Sequence, residues 1–250
     1  MLDSNLNKAK IGDNTILSKN IQIGKNVIIG NNVTIGNNVT IGNNVTIGNN
    51  VIIHEDVIIN DNVVILDNSI IGCKPKPRKA SSNKTKSLFQ TIIGKNVFVG
   101  YSSILYAGVQ IDSDSFVADM VWVRENSKIG SNSVLGTKCS LMNSVTMGNN
   151  SRVMNNSQIT EFTQIGNDVF IGPDVSTVSD NDFGRGSNEY HPKPIVIKDK
   201  SRLGGNCTIL PGIEIGVNSL VAAGSVVMKD VPENVIVIGN PARVIKKIEN

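Results

Sequence analysis

Aliphatic residues recur at every sixth position along most of the chain. The series runs from Ile11 to Ile71, continues from Ile93 to Ile171, and returns from Ile197 to Val227. A Val or another small residue lies four positions after most of these aliphatic residues, and Gly follows many of them directly. The repeating unit is therefore Ile-Gly-x-x-Val-x. A fixed period sustained over nearly the whole sequence indicates a repeat architecture.

Each unit predicts a very short strand followed by a tight corner. In Val-Thr-Ile the side chains alternate, so Val and Ile face inward and Thr faces outward. The Gly-Asn-Asn that follows is turn chemistry, because both residue types tolerate left-handed backbone. Such a strand cannot bury its apolar face alone, so the units must stack. Three strands per turn would give a triangular prism with an aliphatic interior.

Composition agrees with many strands and few other elements. Hydrophobic residues make up 40% of the chain and aromatic residues only 4%. The net charge of +3 argues against a nucleic-acid partner, and no apolar run is long enough for membrane insertion. Cys73, Cys139 and Cys207 are far apart and odd in number, which favours reduced, mostly buried thiols. We expect one cytoplasmic domain over residues 1–250.

The first interruption of the period covers residues 74–90. It carries six basic residues and no acidic one, namely Lys74, Lys76, Arg78, Lys79, Lys84 and Lys86. One interpretation is an excursion that meets the phosphates of coenzyme A or of a nucleotide sugar. The other is a solvated loop without a ligand.

The second interruption covers residues 179–194, where prolines and glycines exclude a continuing coil. It concentrates titratable and amide side chains within a dozen positions, namely Asp180, Asn181, Asp182, Arg185, Glu189, Tyr190 and His191. A regular prism has no pocket, so chemistry belongs on segments that leave it. This segment is therefore the first candidate for an active site.

The repeat resembles that of the left-handed β-helix acyltransferases, over roughly residues 11–244. The resemblance implies an all-β, left-handed parallel β-helix with two loop excursions and a short C-terminal cap at about residues 232–250. It also implies an acyl-coenzyme A co-substrate and a homotrimer with active sites in the clefts between neighbouring prisms. Neither the three-sided coil nor its handedness follows from the period alone.

Residues 152–182 are similar to the acceptor side of sugar acetyltransferases in this family. The matching positions are Asn155, Asn156, Glu161, the run from Val169 to Pro173, Asn181 and Asp182. The resemblance implies N-acetylation of an amino sugar carried on a nucleotide, with Asn155, Asn156, Asn181 and Arg185 as substrate-binding residues. O-acetylation of a sugar or another small alcohol stays open as the alternative.

Residues near the C-terminus resemble the family's acyl-donor side. Small residues that let backbone approach the ligand closely form two corner segments, at Gly204 and Gly205 and at Ala222 and Ala223. The closing signature ends in Asn240-Pro241-Ala242-Arg243. The family pattern implies that Lys229 and Arg243 help to hold the coenzyme phosphates.

Acyl transfer needs a base for the acceptor proton and a donor for the tetrahedral oxyanion. His191 is the first candidate for the base, and Asp182 or Glu161 alternatively positions or deprotonates the acceptor amine. Backbone amides near Gly172 or Gly204 are candidate oxyanion donors. No metal is expected, because two histidines cannot supply a three-histidine shell.

Other interpretations concern isolated residues and the whole chain. His54 occupies a glycine position within uninterrupted coils, which favours a surface role over catalysis. Trp122 and Arg124 favour packing against another subunit over stacking on a base. A passive or ice-binding solenoid is a remote alternative, because six-residue spacing puts Thr34, Thr40 and Thr46 on three different faces.

Overall fold

A computed structural model describes residues 9–76, 88–181 and 192–249 of the protein. Within them every regular element is a β-strand, and successive strands belong in turn to three sheets of 13, 11 and 10 strands. We call the outer surfaces of these sheets faces A, B and C. Each full coil uses one strand from each sheet, so the strands form a parallel solenoid of about 12 coils. This agrees with the left-handed β-helix that the resemblance implies.

The strands are short, and most contain two residues. Sheet A comprises Lys10–Ile11, Ile28–Ile29, Thr46–Ile47, Val64–Ile65, Phe98–Val99, Phe116–Val117, Val134–Leu135, Arg152–Val153, Phe170–Ile171, Arg202–Leu203, Leu220–Val221, Val235–Ile238 and Arg243–Lys247. Sheet B comprises Ile16–Leu17, Thr34–Ile35, Ile52–Ile53, Ile70–Cys73, Ile104–Tyr106, Trp122–Val123, Ser140–Leu141, Gln158–Ile159, Ser176–Thr177, Thr208–Ile209 and Val226–Val227. Sheet C comprises Gln22–Ile23, Thr40–Ile41, Val57–Ile59, Thr91–Ile93, Gln110–Ile111, Lys128–Ile129, Thr146–Met147, Gln164–Ile165, Val196–Ile197 and Glu214–Ile215.

The core is the stack of inward aliphatic residues that the period predicts. Val33 and Ile35 are fully buried, while Thr34 between them is exposed. The same alternation continues through the coils, so one aliphatic cluster fills the prism. Thr34, Thr40 and Thr46 lie on sheets B, C and A, which confirms that these threonines share no face.

Asn and Gly have different roles at the corners. Asn44 adopts the left-handed conformation with a φ of 57°, and an Asn occupies the equivalent position in most coils. Gly42 does not have a positive φ. A Cβ there would lie 2.7 Å from the backbone carbon of Asn60, so Gly is required by the closeness of the next coil. The expectation that both residue types serve left-handed backbone is therefore confirmed for Asn and for a few glycines such as Gly224, with a φ of 71°, but it does not explain the Gly of the repeat unit.

Asparagine and aspartate side chains also tie neighbouring coils together at the corners. The Asn43 backbone amide donates to Oδ1 of Asp61 at 2.8 Å, and the Asn44 side-chain amide donates to Oδ1 of Asn62 at 3.0 Å. Such bonds repeat every 18 residues at many corners. They satisfy corner amides that the strand ladders leave open.

The C-terminal end closes the prism with one antiparallel strand. Strand Val235–Ile238 still pairs in parallel with Leu220–Val221, so the coil continues beyond the predicted start of the cap at residue 232. Strand Arg243–Lys247 then pairs antiparallel with it and covers the sheet edge. Among the described residues, no helix has the length and apolar character to cross a membrane.

Candidate active site

Both excursions leave the prism at one corner. The first follows strand Ile70–Cys73 of sheet B and returns at Thr91–Ile93 of sheet C, and the second runs from Ser176–Thr177 of sheet B to Val196–Ile197 of sheet C. We call this edge the B–C corner. The two departures are five strand steps apart on sheet B. At about 4.8 Å per step, they are separated by roughly 24 Å along the prism.

Glu161 lies on this corner, in the coil before the second excursion. It follows strand Gln158–Ile159, which pairs with Ser176–Thr177 where that excursion begins. Glu161 is half-buried, and Asn181 on the first part of the excursion is exposed. The structure therefore brings the predicted Glu161 to the base of the predicted active-site segment.

Polar groups replace the aliphatic core at this point. Thr177 occupies an inward position, where it is 5% exposed, and Thr160 and Thr163 are buried beside it. The Thr160 amide donates to Oγ1 of Thr177 at 2.7 Å, and the two hydroxyl oxygens lie 3.0 Å apart. Only Gln158 and Ser176 remain in register between these strands. A side-chain bond thus takes the place of a ladder bond at the root of the excursion.

The predicted donor segments lie on a different edge, between sheets A and B, which we call the A–B corner. A Cβ on Gly204 would lie 2.4 Å from the Ala223 backbone nitrogen, so the two segments are in direct contact. Pro173 precedes them on the same corner, because the Asn206 amide donates to its carbonyl oxygen at 2.8 Å. Residues 172–173, 204–205 and 222–223 therefore form one continuous column, the donor column.

Among the described residues, side-chain caps on the A–B corner amides are absent along the donor column, as they are where Tyr101 and Thr137 occupy the capping position. The Thr137 amide donates to Oδ1 of Asn155 at 3.2 Å, as in coils nearer the N-terminus. Pro173, Gly205 and Ala223 occupy the next positions and carry no side-chain oxygen. Consequently the amides of Gly205 and Ala223 have no hydrogen-bond acceptor within the described ranges.

The structure distinguishes among the amides near Gly172 and Gly204, which are the candidate oxyanion donors. The Gly172 amide donates to the Leu203 carbonyl oxygen at 2.8 Å, and the Gly204 amide donates to that of Val221 at the same distance. Both amides are therefore engaged in the sheet ladder. Among the described residues, the amides of Asn155, Gly205 and Ala223 remain without an acceptor along this part of the A–B corner, and the latter two lie one residue further along than Gly204 and Ala222.

Asn155 and Asn156 lie at the A–B corner, one coil before the donor column. The Asn155 side chain caps the Thr137 amide, and Asn156 has the left-handed φ of 60° that the corner requires. The fold alone therefore accounts for this pair. Both side chains are exposed, and their contact with a substrate stays a prediction.

The predicted coenzyme-binding cations are split between the two edges. Lys229 follows strand Val226–Val227 and lies at the B–C corner, away from the donor column. Arg243 comes directly after Ala242, whose amide donates to the Val226 carbonyl oxygen at 2.8 Å near the end of the A–B corner. Only Arg243 therefore lies beside the column. Asp182, Arg185 and His191 lie outside the described residues.

The first excursion begins and ends on charged and aromatic groups. Lys74 forms an ion pair with Glu55, which brings the start of the excursion beside His54 despite the uninterrupted sequence there. The Phe89 amide donates to Oδ1 of Asn126 at 2.9 Å, so the returning end is also attached to the B–C corner. Most of the basic segment between them, residues 77–87, lies outside the described residues.

Arg124 is neutralised within the protein. It donates to both carboxylate oxygens of Glu125, at 2.7 and 3.0 Å, and its guanidinium lies 4.7 Å from the Tyr106 ring centroid. Trp122 faces outward on face B as predicted, with its ring 6.1 Å from that of Tyr106. This cluster stabilises the B–C corner between the two excursions.

The cysteine thiols are free, as expected. Burial raises the pKa of the Cys139 thiol to about 11 and raises that of Cys207 as well. Burial also raises the pKa of the half-buried Cys73, although the nearby Arg124 charge opposes it. None of these thiols is thus primed as a nucleophile. In the described part of the chain, no group of three His, Cys, Asp or Glu side chains is arranged to hold a metal ion.

Sequence reasoning missed that the two excursions share a corner. The signal was present, because successive six-residue units pass through the three faces in order. Counting the units in threes from Leu105 to Thr177 returns to sheet B, from which both excursions depart. The same count places Asn155 at the A–B corner and Glu161 at the B–C corner of one coil.

Known families match both halves of the chain. Residues 11–107 match the GMPPB C-terminal domain, and residues 127–161 and 194–229 match the hexapeptide repeat of succinyl-transferase. A 2,3,4,5-tetrahydropyridine-2,6-dicarboxylate N-acetyltransferase of Clostridium perfringens is 50% identical over 56 residues, 22% of this chain and 24% of that protein. The Saccharomyces cerevisiae protein YJL218W, provisionally named as an acetyltransferase, is 54% identical over 55 residues, 22% of this chain and 28% of its own length. The chain thus spans about a quarter of the length of these relatives.

Solved structures share the architecture over nearly the full chain. The UDP-N-acetylglucosamine acyltransferase of Campylobacter jejuni gives a TM-score of 0.54 at 18% identity, covering 95% of this chain and 75% of that one. The corresponding O-acyltransferase of Moraxella catarrhalis gives 0.52 at 19% identity, covering 93% and 72%. At such identities the likeness concerns the fold. Together with the repeat matches, it makes the chain similar to the hexapeptide-repeat acyltransferases.

Proposed function

We propose that the protein transfers an acetyl group from acetyl-coenzyme A to the amino group of a sugar carried on a nucleotide. The observation that carries this proposal is the donor column, where small residues and two open amides follow one another along the A–B corner. The matches to proteins named as acetyltransferases support the donor chemistry.

The donor column suits the pantetheine arm of the coenzyme. That arm is extended and contains amide groups, so its carbonyl oxygens can accept hydrogen bonds from the Gly205 and Ala223 amides. Gly and Ala side chains leave the backbone accessible, and a larger residue would hold the arm away from it. When the pantetheine arm binds, the amides of Gly205 and Ala223 thereby gain hydrogen-bond acceptors.

The acceptor chemistry belongs to the B–C corner and its second excursion. The neutral acceptor amine attacks the thioester carbonyl carbon, its proton passes to a base, and the coenzyme thiolate leaves and takes up a proton. Glu161, Asp182 and His191 are the proposed base or positioning groups. Such a group typically contributes on the order of 10² to 10⁴ in rate.

The two halves of the site are on different edges of one prism. Face B separates them, including strands Gln158–Ile159 and Thr208–Ile209. We therefore propose that the A–B corner of one protomer faces the B–C corner of its neighbour in a homotrimer. Head-to-tail contacts of this type close into a ring of identical subunits.

The choice of an amine over a hydroxyl acceptor rests on the residues that resemble the acceptor side, from Asn155 to Asp182. A screen with acetyl-coenzyme A would compare thymidine- and uridine-linked amino sugars with hydroxyl acceptors, and would follow release of the free thiol. Turnover with hydroxyl acceptors alone would replace N-acetylation by O-acetylation.

The substitution Ala223→Asn tests the donor column. An Asn at this position would accept from the Gly205 amide, as Asn43 does from Lys25 at 2.9 Å, and its side chain would cover the column. We expect the fold to be kept, because Asn is common at this corner position. The KM for acetyl-coenzyme A should rise roughly tenfold, since ligand hydrogen bonds are lost.

Ser113→Asn is the matched control. It introduces the same side chain at the equivalent position of the corner between sheets C and A, far from the donor column. Its steady-state kinetics should equal those of the wild type. An unchanged KM in a folded Ala223→Asn variant would remove the column from coenzyme binding. Absence of thiol release with every acceptor would refute the transferase.

A further inference from the structure

Three exposed side chains form an outward row on face A. Strands Arg152–Val153, Phe170–Ile171 and Arg202–Leu203 are neighbours in register, so Arg152, Phe170 and Arg202 follow one another across the sheet. They line a depression of about 380 Å³ together with Asn150, Asp168 and Val169. A volume of this order can hold a small ligand.

The arginines of this row are not neutralised by the protein. Within residues 9–76, 88–181 and 192–249, the Arg152 side chain forms neither a hydrogen bond nor an ion pair. Arg202 donates only to backbone carbonyl oxygens, those of Asp168 and Ser201, the latter at 3.1 Å. This contrasts with Arg124, whose charge is paired with Glu125. The row therefore presents open guanidinium groups.

Phe170 gives the row an apolar element. The ring is 37% exposed and packs on no other ring in the parts of the chain described. Further along the same face, Phe98 and Phe116 stack on each other with ring centroids 4.8 Å apart. Asp168 adds one carboxylate, which is an acceptor suited to hydroxyl or amino groups.

The row leads directly into the A–B corner. Arg152 is followed by Asn155 in the same coil, Phe170 by Pro173, and Arg202 by the Gly204 and Gly205 segment. A ligand lying along the donor column can thus extend onto face A without crossing another sheet. Of the two cations that the family pattern implies for the coenzyme phosphates, Lys229 lies at the B–C corner and Arg243 lies beside the donor column.

We propose that this row holds the phosphate-bearing nucleotide of the acyl donor. Arg152 and Arg202 are two strand steps apart, about 9 to 10 Å, and planar guanidinium groups bind phosphate oxygens in pairs. The Phe170 ring between them offers an apolar surface to the base. This assignment rests on the proposed acyl-coenzyme A-dependent function.

Equilibrium binding of adenosine 3′,5′-bisphosphate to the full chain tests the assignment, with UDP as a parallel ligand. Arg152→Gln is the informative variant, because the Arg152 side chain makes no bond within the described residues whose loss would alter the fold. We expect its affinity for the bisphosphate to fall roughly tenfold or more and its affinity for UDP to stay unchanged. Lys10→Gln is the control. It removes a positive charge from the first strand of the same sheet, far from the row, and should bind the bisphosphate as the wild type does.

Three outcomes would overturn the proposal. They are unchanged bisphosphate binding by Arg152→Gln, a loss confined to UDP, and a change of oligomeric state in gel filtration, which would make the row a subunit contact. Because binding is measured without turnover, the two proposals fail separately. Arginine-dependent bisphosphate binding without acetyl transfer would contradict only the proposed function, and acetyl transfer with unchanged binding would contradict only this row.

Discussion

At the residue scale, one buried position of the repeat carries a small polar side chain that donates to a backbone carbonyl oxygen of the next coil. Ser133 donates its hydroxyl to the Gly148 carbonyl oxygen of the next coil at 3.0 Å, and several other serines repeat this contact. Cys139 occupies the equivalent position, with its Sγ 2.9 Å from the Met154 carbonyl oxygen. The thiol is therefore a substitute for a hydroxyl donor.

Stability should consequently fall at alkaline pH because of Cys139. Its pKa is raised from 9.0 to about 11 in the folded protein, so above pH 9 the unfolded chain loses this proton first. The contribution is fully present below pH 9 and is lost as the pH rises through 11, by roughly 2 to 3 kcal/mol in total. Urea unfolding at a series of pH values would measure the decline.

The substitution Cys139→Ser separates this effect from other alkaline titrations. A serine fits the position, because Ser133 and its equivalents already make the same contact, so stability at pH 7 should change by less than about 1 kcal/mol. Between pH 9 and 11 the variant should lose less stability than the wild type. Parallel pH profiles for the two proteins would show that Cys139 does not control the decline.

At the element scale, the strands follow from the sequence because their physics is local. A six-residue unit with alternating burial specifies a strand and a corner wherever it occurs, so inward residues such as Ile35 and Ile209 were predictable. The open amide of Gly205 was not predictable from its own unit, because its acceptor would have to come from the residue 18 positions later, which is Ala223. Likewise, Thr177 reveals its role only through its contact with Thr160.

Thr177→Val should weaken the root of the second excursion. Valine restores an aliphatic interior but removes the acceptor of the buried Thr160 amide. An unsatisfied buried donor costs about 1 to 3 kcal/mol, so the free energy of unfolding should fall within that range. Thr208→Val on the adjacent strand is the control, because Thr208 faces outward, and urea unfolding should find it within about 0.5 kcal/mol of the wild type. Equal stability of the two variants would mean that the Thr177 hydroxyl does not support the excursion.

At the scale of the whole molecule, a straight prism distributes chemistry along its edges. The donor column occupies the A–B corner, and both excursions with Glu161 occupy the B–C corner. Nothing in the described coils brings these edges together within one protomer, since every coil keeps the same three faces. Assembly is therefore the step that would complete the proposed site, and this is testable without a structure of the oligomer.

Two impaired variants should restore activity to each other. Ala223→Asn damages the A–B corner and Glu161→Gln damages the B–C corner, so at acetyl-coenzyme A concentrations well below the KM each variant alone should lose most of its turnover. In co-expressed trimers of both chains, a site at each interface takes one edge from each protomer, and random mixing leaves about one quarter of the sites with two intact edges. Acetyl transfer by the whole trimer population, homotrimers included, would therefore recover to about that fraction, and purified mixed trimers would recover to about one third. If the site lay within one protomer, no mixed trimer would contain an intact site, and turnover would stay at the level of the single variants.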